Sequence, residues 1–155
     1  IMQSQTVTSR RNPERTLAIL SHIAMLPYLF CVAWITLLRR TPTVQRKNLT
    51  PFFEYTNVFY GERTLFFIGQ IMGNLVMLLP LGMMLTFGWK PFRNPFLTVG
   101  TGFCCTAAIE LTQWYTARGL LEWDDLFNNT VGAFIGYLLA MWILHICRSK
   151  KDTLC

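Results

Sequence analysis

Polar residues along the chain fall into short blocks separated by four long apolar windows, 17–38, 65–88, 96–117 and 126–147. These windows hold 90 residues and one formal charge, Glu110, while the other 65 residues carry the remaining 21 charges. At about 1.5 Å of rise per residue, each window makes a helix of roughly 33–36 Å, enough to cross a hydrocarbon core of about 30 Å. One such window can be a buried soluble helix, but four in 155 residues leave too little polar chain to coat them. The pattern predicts an all-α membrane protein with four transmembrane helices, the first kinked at Pro27. The connections 89–95 and 118–125 are seven and eight residues long, so the last three helices should form an antiparallel bundle. The chain divides into a polar, basic segment at 1–16, a transmembrane domain at 17–147 with an interfacial loop at 39–64, and a basic tail at 148–155.

Composition agrees with the pattern. The chain is 52% hydrophobic and only 14% charged, against roughly 25% charged in ordinary soluble domains. A water-soluble globule, a disordered chain and a secreted disulfide scaffold are excluded. The first window is no convincing signal peptide: it follows a polar segment of sixteen residues and ends in Arg39-Arg40 rather than a small-residue cleavage site. A net charge of +6 could suggest nucleic acid, but the cations flank the windows (Arg10, Arg11, Arg15; Arg39, Arg40; Lys90, Arg93; Arg148, Lys150, Lys151). That placement suits orientation signals and anionic headgroups. Counting Lys and Arg gives eight on the side of the termini and six on the other, so both termini are expected in the cytoplasm. The five cysteines form no CxxC and no zinc-like spacing with histidine, and they read as small apolar packers. No metal or cofactor is expected from them.

The polar residues inside the windows share one depth. Measured from the face carrying loops 39–64 and 118–125, Gln70 and Asn74 lie roughly 8 and 14 Å in, Gln113 and Glu110 roughly 6 and 11 Å, and Asn128 and Asn129 roughly 3–5 Å. Gln70 and Asn74 are four apart, and Glu110 and Gln113 three apart, so each pair shares a helix face. Above them the loop supplies Arg118, Glu122, Asp124 and Asp125. Gly69-x-x-x-Gly73 and Gly132-x-x-x-Gly136 are spacings that let helix backbones approach closely.

Two readings of these residues are open. Glu110, a carboxylate that costs about 2.5–3.5 kcal/mol within a span on insertion scales, either fixes packing through Arg118 or Asn74 or lines an outward-open pocket. In the loop, Gly119 ends the third helix and Asp124 or Asp125 caps the fourth, or the acids converge with Glu110 to hold a cation or act as a general base. The aromatics of 49–60 anchor the loop at the headgroups or form a flap over the bundle.

In order along the chain stand Arg46-Lys47-Asn48-Leu49-Thr50-Pro51-Phe52, Asn74-x5-Pro80-Leu81-Gly82 and Glu110-x2-Gln113. They are followed by Arg118-Gly119-x2-Glu122-x-Asp124-Asp125-x3-Asn129-Thr130-x-Gly132-x3-Gly136. This series, over about 46–140, resembles the VanZ-like family of bacterial membrane proteins. Glu122 departs from it, since many members carry aspartate there. The resemblance implies a multi-pass protein of the bacterial cell membrane and a cell-envelope role; the family's namesake is associated with reduced susceptibility to teicoplanin-type glycopeptides.

Two functions are carried forward. The first is a non-enzymatic pocket of Asn74, Glu110, Gln113, Arg118, Glu122, Asp124, Asp125 and Asn129 that binds a membrane lipid, a cell-wall precursor or a glycopeptide, in a monomer or a homo-oligomer. The second is a membrane enzyme acting on a lipid-linked or headgroup substrate, with Glu110 or Asp125 as base and Arg118 stabilising an anion. The chain has no HExxH, no GxSxG and no phosphate-cradling glycine loop, which favours the first.

Overall fold

The computed structural model describes residues 12–61 and 63–152, the side chains of 150–152 excepted. Arg10 and Arg11 of the basic amino-terminal segment, and the end of the basic tail, lie outside the described residues. In chain order the elements are α1 (Pro13–Ala33), a π-helical turn (Trp34–Leu38), β1 (Arg46–Asn48), α2 (Phe53–Tyr60), α3 (Thr64–Gly88), a 3-10 turn (Lys90–Arg93), α4 (Pro95–Tyr115), β2 (Leu120–Glu122) and α5 (Trp123–Asp152). Among the described residues, four stretches are long and apolar enough to cross a membrane: Pro13–Leu38, Thr64–Gly88, Pro95–Tyr115 and Trp123–Ser149. They correspond to the four apolar windows, and the protein is an all-α membrane protein.

Local chemistry starts two of the long helices in the same way. Asn12 accepts from Glu14 N at 3.2 Å ahead of Pro13, and Asn94 accepts from Phe96 N at 2.9 Å ahead of Pro95. Each asparagine satisfies a free helix N–H, and each proline has none to leave unpaired. Within α3, Pro80 cannot donate to the preceding turn and crowds it. Met77 O, in that turn, accepts from Tyr28 Oη at 2.6 Å, which also ties α1 to α3.

The centre of the bundle is a seam between α3 and α5. A Cβ added to Gly132 would lie 2.1 Å from Leu75 O, and one at Gly136 2.0 Å from Leu79 O. From the other side, one at Gly82 would lie 2.0 Å from Ala133 O. Backbones this close admit only glycine. Leu78, Leu81, Leu85 and Ala133 fill the core beside the seam. α1 is peripheral, with only Ser21 and Val32 buried, and its outer face carries exposed Ile23, Leu26 and Phe30. In lipid such residues meet acyl chains.

Several local expectations are corrected. Gly69-x-x-x-Gly73 is not a packing motif, because a Cβ at either position would meet nothing within 4 Å. The third long helix, α4, is stopped by Ala117 rather than Gly119: just past the cap Thr116, Ala117 takes the left-handed conformation (φ 53°) and Arg118 N donates to Gln113 O at 2.8 Å, a glycine-type helix stop built on alanine. Gly119 is instead needed for space, since a Cβ there would lie 2.7 Å from Gln113 Oε1 and 2.9 Å from Arg40 Nη1. The stretch 39–64 is more than a loop. It contains α2, and β1 pairs in parallel with β2 in the register Arg46 to Leu120, Lys47 to Leu121 and Asn48 to Glu122.

Candidate functional site

The β1–β2 pairing and the start of α5 bring four segments together at one end of the bundle. Asp124, in the first turn of α5, does not cap its own helix. Its two carboxylate oxygens accept from Phe52 N at 2.6 Å and Glu54 N at 2.7 Å, so it caps α2. Phe52, at φ 57°, turns the chain so that both N–H groups face one carboxylate. The cap drives Glu54 inward until it is 1% exposed. There Glu54 Oε2 accepts from Asn128 Nδ2 at 3.1 Å, and Asn128 Oδ1 accepts from Tyr55 Oη. Glu54 Oε1 is buried without a hydrogen-bond partner.

Around Glu54 the acids converge. Glu54, Glu122 and Asp125 each offer a carboxylate oxygen, and the three oxygens lie within 4.8 Å of one another. Asn74 Nδ2 donates to Asp125 Oδ1. Glu110, 2% exposed, accepts from Glu122 N at 3.2 Å through Oε2. Burial, then the charges of Asp125, Glu122 and Asp124, push the Glu54 carboxyl up to about 8, against the pull of Asn128. Burial, then Asp125 and Asp124, push Glu122 up to about 7, opposed by a hydrogen bond from Asn48 and by Arg40. The cause is common to both: a carboxylate removed from water beside others of its sign holds its proton.

Next to the acids is a cavity of about 230 Å³ between the π-helical turn, α3, α4 and the start of α5. Its polar walls are Thr36, Arg40, Gln70, Asn74, Glu110, Gln113 and Asp125, with Ile35, Met77, Gly69 and Gly73. The exposed glycines on α3 therefore leave room for the cavity. Gln113 Nε2 donates to Thr36 O at 3.1 Å, while its Oε1 is buried without a partner. Ile35 also lines a second, apolar depression on α1 and the π-helical turn with Phe30, Cys31 and Trp34.

Of the residues expected from sequence, Asn74, Glu110, Gln113 and Asp125 line the cavity, and Glu122 and Asp124 lie in the acidic cluster beside it. Arg118 does not join them. Its Nη1 donates to Leu37 O at 3.0 Å, capping the carbonyl end of the π turn, so the trio of Glu110, Asp125 and Arg118 is not assembled; Arg40 is the cation in the cavity wall. Asn129 is fully buried and is not part of that wall; neither of its amide atoms has a partner. It stands one turn before Ala133, which faces Gly102 of α4, and the antiparallel register puts it level with Thr106, whose hydroxyl is likewise unpartnered. Glu110 makes its hydrogen bond to neither Arg118 nor Asn74 but to the backbone of β2. Sequence reasoning missed Glu54 and Arg40. A lone acid among the aromatics of Pro51–Tyr60 was the available signal for Glu54.

A family model described as VanZ/LLP1 matches residues 25–145, which spans every residue of the cavity and the cluster. No curated protein and no solved structure matches the chain.

Proposed function

Since this chain belongs to the VanZ/LLP1 family, we propose that it is a bacterial cell-envelope protein that holds the polar head of an amphiphile in the cavity between the π-helical turn, α3 and α4. In this reading the chain is multi-pass, both termini are cytoplasmic, and the cavity end faces outward. The observation that carries the reading is one residue shared by two surfaces. Ile35 belongs both to the polar cavity of Glu110, Asp125, Asn74 and Gln113 and to the apolar depression of Phe30, Cys31 and Trp34. A head seated among the amides and acids would leave its acyl part along α1, in contact with lipid. Gln113 Oε1, buried and unpartnered, supports a ligand donor at that point, since a buried polar atom left unmade costs roughly 1–3 kcal/mol. The amphiphile is a membrane lipid, a lipid-linked cell-wall precursor or a glycopeptide such as teicoplanin, and the last would connect the cavity to antibiotic resistance.

The test is binding. Protein in nanodiscs is titrated with teicoplanin and, separately, with a polyprenyl-linked cell-wall precursor. Saturable binding of either, weakened at least tenfold by Glu110→Gln while far-ultraviolet circular dichroism is unchanged, is the expected result. Equal binding by wild type and Glu110→Gln rejects the cavity as the site.

A further inference from the structure

We propose that Glu54, Glu122 and Asp125 form a binding site for one divalent, oxygen-preferring cation of the Ca²⁺ or Mg²⁺ class. The proposal stands apart from the amphiphile reading and needs no amphiphile to be true. Its first ground is spacing. Ca²⁺ holds oxygens at about 2.3–2.6 Å and Mg²⁺ at about 2.0–2.1 Å, so two ligands of one ion lie no more than roughly 4–5 Å apart. The three carboxylate oxygens meet that limit within 4.8 Å, although Glu54 on α2 is distant in sequence from Glu122 and Asp125, which stand at the junction of β2 and α5.

The second ground is independent of the clustering. Glu54 is 1% exposed, and its Oε1 has no donor from the protein. Its other oxygen is already held by Asn128, which Tyr55 holds in turn, so the free oxygen is fixed in place rather than left to rotate toward water. A buried carboxylate oxygen is stable only when something positive or a donor meets it. Among the described residues the salt bridges belong to Glu14, at the other end of the bundle; none reaches this trio.

The third ground is the ligand chemistry. The trio is all oxygen, without cysteine or histidine, which suits hard cations over zinc or copper. Its ligands are oriented from behind, Asp125 by Asn74 and Glu54 by Asn128, as ligating carboxylates commonly are. Asp125 also lines the cavity, so the ion sits at the cavity's edge.

The full chain in nanodiscs of phosphatidylcholine, stripped with EDTA, is titrated with Ca²⁺, Mg²⁺ and Mn²⁺ in separate calorimetric experiments. At least one of the three should bind saturably at one ion per chain and raise the unfolding temperature. Glu54→Gln and Glu122→Gln should each weaken that binding at least tenfold, while Glu14→Gln leaves it unchanged. Glu122 is only half-buried, so its variant remains informative if Glu54→Gln fails to fold. Absence of saturable binding for all three ions in folded wild-type protein overturns the proposal, as does wild-type affinity in a folded Glu122→Gln chain.

Discussion

At one end of the bundle Glu14 meets Arg93 at 3.0 Å and Arg148 at 2.8 Å, whereas at the other Glu54, Glu110, Glu122, Asp124 and Asp125 converge without an ion pair among the described residues. The first end ties α1, the 3-10 turn and α5 together through charges that keep much of their water. The second ties α2, β2, α4 and α5 through backbone N–H groups and amides, and leaves its carboxylates crowded. Charge can thus be matched by an ion pair within the fold, or gathered with no ion pair and only the longer-range pull of Arg40. On the proposals above, only the second arrangement offers a ligand something to match, because a charge already matched has little further to gain.

The comparison predicts unequal costs for mutations at the two ends. The largest effect is expected from Asp124→Ala, which strips both acceptors from the start of α2. The buried Glu54 N–H left unpaired should cost roughly 1–3 kcal/mol and the part-buried Phe52 N–H less, and α2 should loosen. Denaturant unfolding in detergent measures the first, and labelling of a cysteine placed at exposed Phe59 the second. A variant as stable and as protected as wild type would show that Asp124 does not hold this end together.

An intermediate effect is expected from pH. Glu54 at about 8 and Glu122 at about 7 both lie above their ordinary value of 4.5. The folded, ion-free chain therefore holds protons that the unfolded chain has released. Their contribution to stability is complete below the unfolded value and is lost as pH rises through about 7 and 8. In EDTA the unfolding temperature should fall between pH 5 and pH 8.5, and Glu54→Gln should flatten the fall. An unchanged slope in that variant would remove Glu54 from the account.

The smallest effect belongs to the matched end. Glu14→Gln weakens two partly exposed ion pairs, which should change stability by less than about 1 kcal/mol and less still in high salt. A loss as large as that of Asp124→Ala would erase the distinction between the ends.

The four spans were legible because burial in lipid demands long runs without charge, and Glu110 stood out as the exception. The convergence of Asn74, Glu110, Gln113, Glu122 and Asp125 was legible from depth and helical spacing alone. What could not be read were contacts between segments about seventy residues apart. Asp124 next to a helix start looks like that helix's own cap, and only the tertiary fold gives it to α2. A strand of three residues has too little alternation to declare itself, so β1 and β2 were invisible before their pairing. Arg118 was the cation expected beside Glu110, and Arg40 read only as a charge flanking the first window. Which one faces the cavity depends on the π turn, whose free carbonyl at Leu37 takes Arg118.

The cap on α2 also imposes an order on synthesis. Phe52 and Glu54 receive their acceptor from a residue 72 and 70 positions later. At about 5–20 residues per second, the ribosome needs roughly 4–14 s to deliver it. During that interval the second and third hydrophobic segments are synthesised while the start of α2 lacks its Asp124 acceptor and Glu54 its contact with Asn128. The α2 end of the molecule is consequently fastened only once the third segment and the opening turn of the fourth have been made, and the Glu14–Arg148 pair at the opposite end closes later still.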